Sequence, residues 1–162
     1  KFIKTLEGVS DLKIGMAIAS MTLVSSIVAF FYNHLKSKFS YSKIFALGFC
    51  LMGSAYLLFY LATYYIMSVF GLMLTGLAVG IILPNIVVWL LVQLPAKIRG
   101  VCMGGLITSY FTGQFCSLIV FKDIIQIFSV SKAYGIAGFL LIFMGFFFYT
   151  FKSIPLFVKS VD

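Results

Sequence analysis

The sequence predicts an all-α integral membrane protein with five transmembrane helices. Two observations carry that class. Of the 162 residues, 62% are hydrophobic and only 10% charged, with a mean hydropathy of +1.14, whereas a water-facing globular domain carries about a quarter charged residues. The few charges also fall in short clusters, leaving uninterrupted charge-free runs over 14–35, 44–96, 100–121 and 133–151. A hydrocarbon core of about 30 Å takes about 20 helical residues, so these runs are of spanning length. Together the two observations exclude a soluble enzyme.

Taken in order, the first run makes a span over 14–35, closed by a basic hairpin with Lys36, Lys38 and Lys43. The second run, 44–96, is more than twice the ~20 residues one crossing needs. It divides into spans over 44–62 and 68–93, with the turn where Tyr60, Tyr64 and Tyr65 supply rings that collect at a membrane interface. The fourth span is 100–121 and the fifth 133–151. Barrel strands are excluded, since those are about 10 residues long and alternate in polarity. The fifth span is aromatic on nearly every side, with Phe139, Phe143, Phe146, Phe147, Phe148 and Phe151 around Gly135, Gly138 and Gly145. It is expected to face lipid.

The net charge of +8 does not point to nucleic acid, because the bases sit at the ends of apolar runs, where they act as topology signals. Lys36, Lys38, Lys43, Lys97, Arg99, Lys152 and Lys159 fall on one side. Lys1, Lys4, Lys13, Lys122 and Lys132 fall on the other, interleaved with Glu7, Asp11 and Asp123. The loops of Lys36, Lys38, Lys97 and Arg99 are therefore expected to be cytoplasmic. Cys50, Cys102 and Cys116 have no metal-ligand or disulfide spacing, His34 is the sole histidine, and no span contains Asp or Glu. No metal site, cofactor or catalytic set is expected. The sequence opens on Lys1 with no basic and apolar leader pattern, and the chain is expected to be a fragment that begins in mid-protein.

Polar and small residues inside the spans are the candidate functional positions. Gly76 and Gly80, four apart before Pro84, form a groove for close helix packing. Asn85, Trp89 and Gln93 recur every four residues on another face, either as hydrogen-bond glue between helices or as the lining of a wet cavity. In RGVCMGGLITSYFTGQFCS, Gly105, Ser109, Gly113 and Ser117 form a second small ridge for helix packing, and Tyr110 and Gln114 stand four apart on a different face. Asn85, Tyr110 and Gln114 are the candidate substrate-binding residues, with helix glue as the competing role.

The order of these features resembles the second half of a major facilitator superfamily transporter, near the drug and sugar efflux permeases. The resemblance is carried by EGVSDLKIGM, by the span ending in a basic hairpin, and by GLAVGIILPNIVVWLLVQLPAKIRGVCMGGLITSYFTGQF. Two departures stand out. Asn33 and His34 occupy the start of a loop where the family has an acidic residue and a glycine, and Leu118 stands where close relatives have proline. The resemblance implies that the spans are helices eight to twelve of a twelve-helix fold, forming part of a C-terminal six-helix bundle. It further implies a secondary active permease or antiporter that moves a small-molecule solute, in the efflux direction, by alternating access between two bundles. The implied partners are membrane lipids, the missing N-terminal half and the solute, and the implied setting is the inner membrane of a bacterial cell, crossed several times. A non-transporting scaffold or a channel-like subunit is the alternative.

Overall fold

A computed structural model describes residues 10–150, the side chains at 123 and 124 excepted. Lys1, Lys4, Glu7, Phe151, Lys152 and Lys159 lie outside the described residues. In a bilayer every backbone N–H and C=O must find its partner within the protein, which a helix does within one segment. The described elements are accordingly helical: α1 (Asp11–Phe30), α2 (Tyr32–Lys38), α3 (Tyr41–Leu61), α4 (Tyr65–Gln93), α5 (Arg99–Phe128) and α6 (Val130–Thr150), with a single 3₁₀ turn, Ala96–Ile98, before α5. Among the described residues, five helices are long and apolar enough to cross a membrane, α5 together with the preceding 3₁₀ turn counting as one.

Local chemistry sets the breaks. Phe31, at φ −85° and ψ 2°, separates α1 from the short α2, so the apolar run 14–35 is divided between two helices. The long run 44–96 is interrupted at 62–64, where Ala62 and Tyr64 are extended. Pro95 ends α4, because a proline disfavours the helical conformation in the residue before it, and Leu94 is extended, at φ −107° and ψ 138°. Between α5 and α6 a single residue, Ser129, makes the turn at φ 96° and ψ 158°. That region is essentially glycine's own and costs another residue about 1–3 kcal/mol.

Lipid tails are as apolar as leucine, so helices in a membrane associate through close van der Waals packing. The α1–α4 contact shows how. A Cβ added to Gly76 would collide with the Met21 carbonyl oxygen, and one added to Gly80 would lie 2.5 Å from the Ser25 carbonyl oxygen. Both glycines of α4 therefore hold the backbone of α1. Pro84, one turn later, has no N–H to give the Gly80 carbonyl and so leaves it without its helical donor.

The largest interface joins α3 to α6, followed by α3 with α4 and α1 with α4. It is built on a second pair of small residues. A Cβ on Gly53 would lie 2.8 Å from the Gly138 carbonyl oxygen, and one on Gly138 would lie 3.0 Å from that of Gly53. This corrects the expectation that α6 faces lipid throughout. Its Ala133, Gly135, Ala137, Gly138 and Gly145 are buried or nearly so against α3, and the phenylalanines divide between that interface and the outside. Phe148 packs on Phe45 and Phe49, while Phe139, Phe143 and Phe146 are exposed.

The arrangement of α5 is different. It touches α4 and α6 only lightly, and no residue along it is buried among those described. Its 30 residues span about 45 Å at 1.5 Å per residue, longer than a hydrocarbon core.

Replacing Gly76 with leucine should separate α1 from α4 and cost about 1–3 kcal/mol, the usual range for overpacking. Gly15→Leu, on α1 with no atom within 4 Å of its would-be Cβ, should leave stability unchanged. Thermal unfolding midpoints in detergent measure both, and equal losses would contradict the α1–α4 contact.

Candidate functional site

Asn85 follows Pro84 in α4 and has no accessible surface. An amide buried in an apolar bundle is costly unless its groups are paired. Here both ends are engaged: the Tyr32 hydroxyl donates to Oδ1 at 3.0 Å, and Nδ2 donates to the Tyr41 carbonyl oxygen at 3.1 Å. Tyr32 lies in α2 and Tyr41 opens α3, so one side chain of α4 ties down both sides of the basic hairpin. Lys36 completes the arrangement. Its ammonium lies 3.9 Å from the centroid of the Tyr41 ring and donates to the Phe39 carbonyl oxygen at 3.3 Å.

Ile44 and Ile81 are buried with Tyr32, and Val28, Leu35, Leu51 and Val88 pack around them. This apolar surround strengthens the hydrogen bonds it encloses. Tyr32 lies beyond the end of the spanning helix α1. Its phenol is a protonated donor at physiological pH.

Next to this clamp, a cleft of 410 Å³ opens between α3 and α4 and is bounded by α6. Tyr41, Phe45, Phe49, Trp89 and Phe148 form its walls, and Gln93 is its amide. The Phe45 ring meets Trp89 edge-on at 6.3 Å and Phe148 at 5.4 Å, while Phe49 stacks on Phe148 at 5.5 Å. The residues Asn85, Trp89 and Gln93, spaced by four, thus divide their work: Asn85 enters the clamp and the other two line the cleft.

Tyr110 and Gln114 are elsewhere. Both are exposed on α5, Tyr110 at 48%, and the structure does not bring them to Asn85, which α2 and α3 enclose. The α5 ridge is equally open, with no atom within 4 Å of a Cβ built on Gly105 or Gly113, and Ser109 exposed. Lys36 and Lys38 in α2, Lys97 in the 3₁₀ turn and Arg99 at the start of α5 share the end of the bundle where α1 finishes and α3 begins. Arg99 Nε donates to the Leu94 carbonyl oxygen at 3.0 Å, bracing that turn. Among the described residues, no three His, Cys, Asp or Glu side chains gather as a metal site.

A bundle of spanning helices joined by a pinned basic hairpin agrees with the comparison of the sequence with protein families, in which the model of the Major Facilitator Superfamily matches residues 3–159. The chain belongs to the Major Facilitator Superfamily. Neither the comparison with curated proteins nor that with solved structures gives a match. Members of the Major Facilitator Superfamily are membrane transporters, and this chain is a multi-pass membrane protein of that family.

Tyr32 and Tyr41 were not singled out by the sequence, because neither interrupts an apolar run as Asn85 does. Within this Major Facilitator chain they make Asn85 a structural centre. Asn85→Leu should strand the Tyr32 hydroxyl and cost about 1–3 kcal/mol, the penalty for an unpaired buried group. Tyr32→Phe should cost about 1 kcal/mol, and the double variant should lose less than the sum of the two. Unfolding midpoints in detergent supply the cycle, and additive losses would mean that the two side chains do not share a bond.

Proposed function

We propose that the chain is part of a secondary active permease that exports a small solute by alternating access, as an antiporter in the inner membrane of a bacterial cell. The observation that carries the transport mechanism is the contrast between α5 and the other spans. α1, α3, α4 and α6 pack on one another through large interfaces, whereas α5 touches its neighbours only lightly and presents Thr108, Ser109, Tyr110, Thr112 and Gln114 on an exposed surface. Hydroxyls and amides facing bare hydrocarbon are expensive. These groups call for a second helical bundle and a wet path beside it, which is the arrangement of two bundles rocking about a midplane site. Gly105, Ser109, Gly113 and Ser117 allow a neighbouring backbone to approach α5 closely and part from it again.

On this reading Tyr110 and Gln114 contact the solute, and Asn85, whose oxygen and nitrogen both have protein partners, supports the helix that moves. The efflux direction rests on the resemblance to efflux permeases. Acidic residues lie outside the charge-free runs, so a group that senses a proton gradient from within the membrane belongs to the opposing bundle.

In the full transporter, Gln114→Ala should change the ratio of transport rates for two substrates on the order of 2- to 10-fold, as one net hydrogen bond allows. Its level in the membrane should be unchanged. Loss of folded protein with an unaltered ratio would remove Gln114 from the solute path. The basic end is proposed to be cytoplasmic. In a cysteine-free background, Ser37→Cys and Ser131→Cys should react with an impermeant maleimide from opposite faces, and labelling from one face would reject the topology.

A further inference from the structure

We propose that the groove between α3 and α6 binds one acyl chain of an anionic phospholipid, with Lys43 holding the phosphate. The groove encloses 540 Å³, a size typical of sites for small organic ligands. It runs from Lys43 to Cys50 along α3, about 10 Å at 1.5 Å per residue. Ile142 and Gly145 of α6 line its opposite side. Its floor is the close contact of the two helices, where a Cβ on Gly145 would lie 2.7 Å from Cys50 Sγ.

The walls open outward rather than into the bundle. Leu47 is 43% exposed and Phe146 63%. Such side chains at membrane depth meet lipid tails. Chemistry changes at one end only, where Lys43 and Tyr149 stand beside Phe39. A tyrosine and a lysine there sit at headgroup level, the lysine extending its ammonium along an apolar stem. Residues 31–43 include Lys36, Lys38 and Lys43 and no Asp or Glu, and Asp11 opens α1 at the opposite end of the bundle.

An occupant must therefore be apolar over the length of the groove and negative at one end, at interface level. A diacyl phospholipid with a net negative headgroup has that form. A second copy packed isologously through this surface would set the two lysine clusters against each other. The proposal rests on the membrane-spanning fold alone, and its success or failure leaves the transport reading untouched.

The test uses the full transporter made free of other tryptophans, with Trp89→Phe and one tryptophan placed in the groove by Phe146→Trp, in bilayers containing brominated phosphatidylglycerol or brominated phosphatidylcholine. Quenching should report a binding preference for phosphatidylglycerol of about fivefold, the factor equivalent to ~1 kcal/mol for one lysine near an anionic surface. Lys43→Gln should abolish the preference, Lys43→Arg should retain it, and Lys97→Gln, at the same end but outside the groove, should leave it intact. Equal quenching by both lipids would overturn the proposal. So would an equal effect of Lys97→Gln, which would assign the attraction to the basic face at large. Quenching by neither lipid would also overturn it, by showing the groove filled with protein, whether a second copy or residues 151–162.

Discussion

Close backbone approach is the constraint on which this bundle depends. Lipid gives helices no hydrophobic reason to associate, so what holds them is contact distance and the few polar groups that can be paired. Gly76 and Gly80 set that distance between α4 and α1, and Gly53 with Gly138 sets it between α3 and α6. α3 and α4 then lie side by side. The four helices form a chain of contacts in the order α1, α4, α3, α6, which differs from their order in sequence.

Within that frame the Asn85 clamp supplies direction rather than bulk attraction. A proline alone weakens a helix by leaving a carbonyl without its donor. Here the next residue bonds to α2 and α3, so the segment of α4 that proline loosens is fixed from outside. The hairpin is fixed in the same act, through the Tyr41 carbonyl on one side and the Tyr32 hydroxyl on the other. Any displacement of the second half of α4 would then carry the hairpin with it.

The contrast with α5 follows from the same physics. Small residues permit close packing but do not specify a partner. The ridge Gly105, Ser109, Gly113 and Ser117 has the spacing of a contact surface, as do Gly76 and Gly80, yet only the latter meet another helix of the described residues. α6 is the converse case, since its phenylalanines concealed a buried face built from Gly138, Gly145 and Ala137. Composition registers the aromatic rings, whereas packing is decided by which side of the helix is narrow.

The sequence by itself determined the class, the number of spanning helices and the family. Charge-free runs of a given length have one solution in a hydrocarbon slab, and the ordered glycines, Pro84, Asn85 and Arg99 carry the resemblance that the family match supports. It also singled out Asn85 as an amide in need of partners. Only the tertiary structure decided who those partners are, because Tyr32 lies 53 residues away and Tyr41 44 residues away. It alone separated Asn85 from Tyr110 and Gln114, and packed one side of α6 on α3. The physical reason is that helical periodicity places residues on a common face, but what that face meets depends on how the helices are ordered in the bundle, and that order is set by contacts remote in sequence.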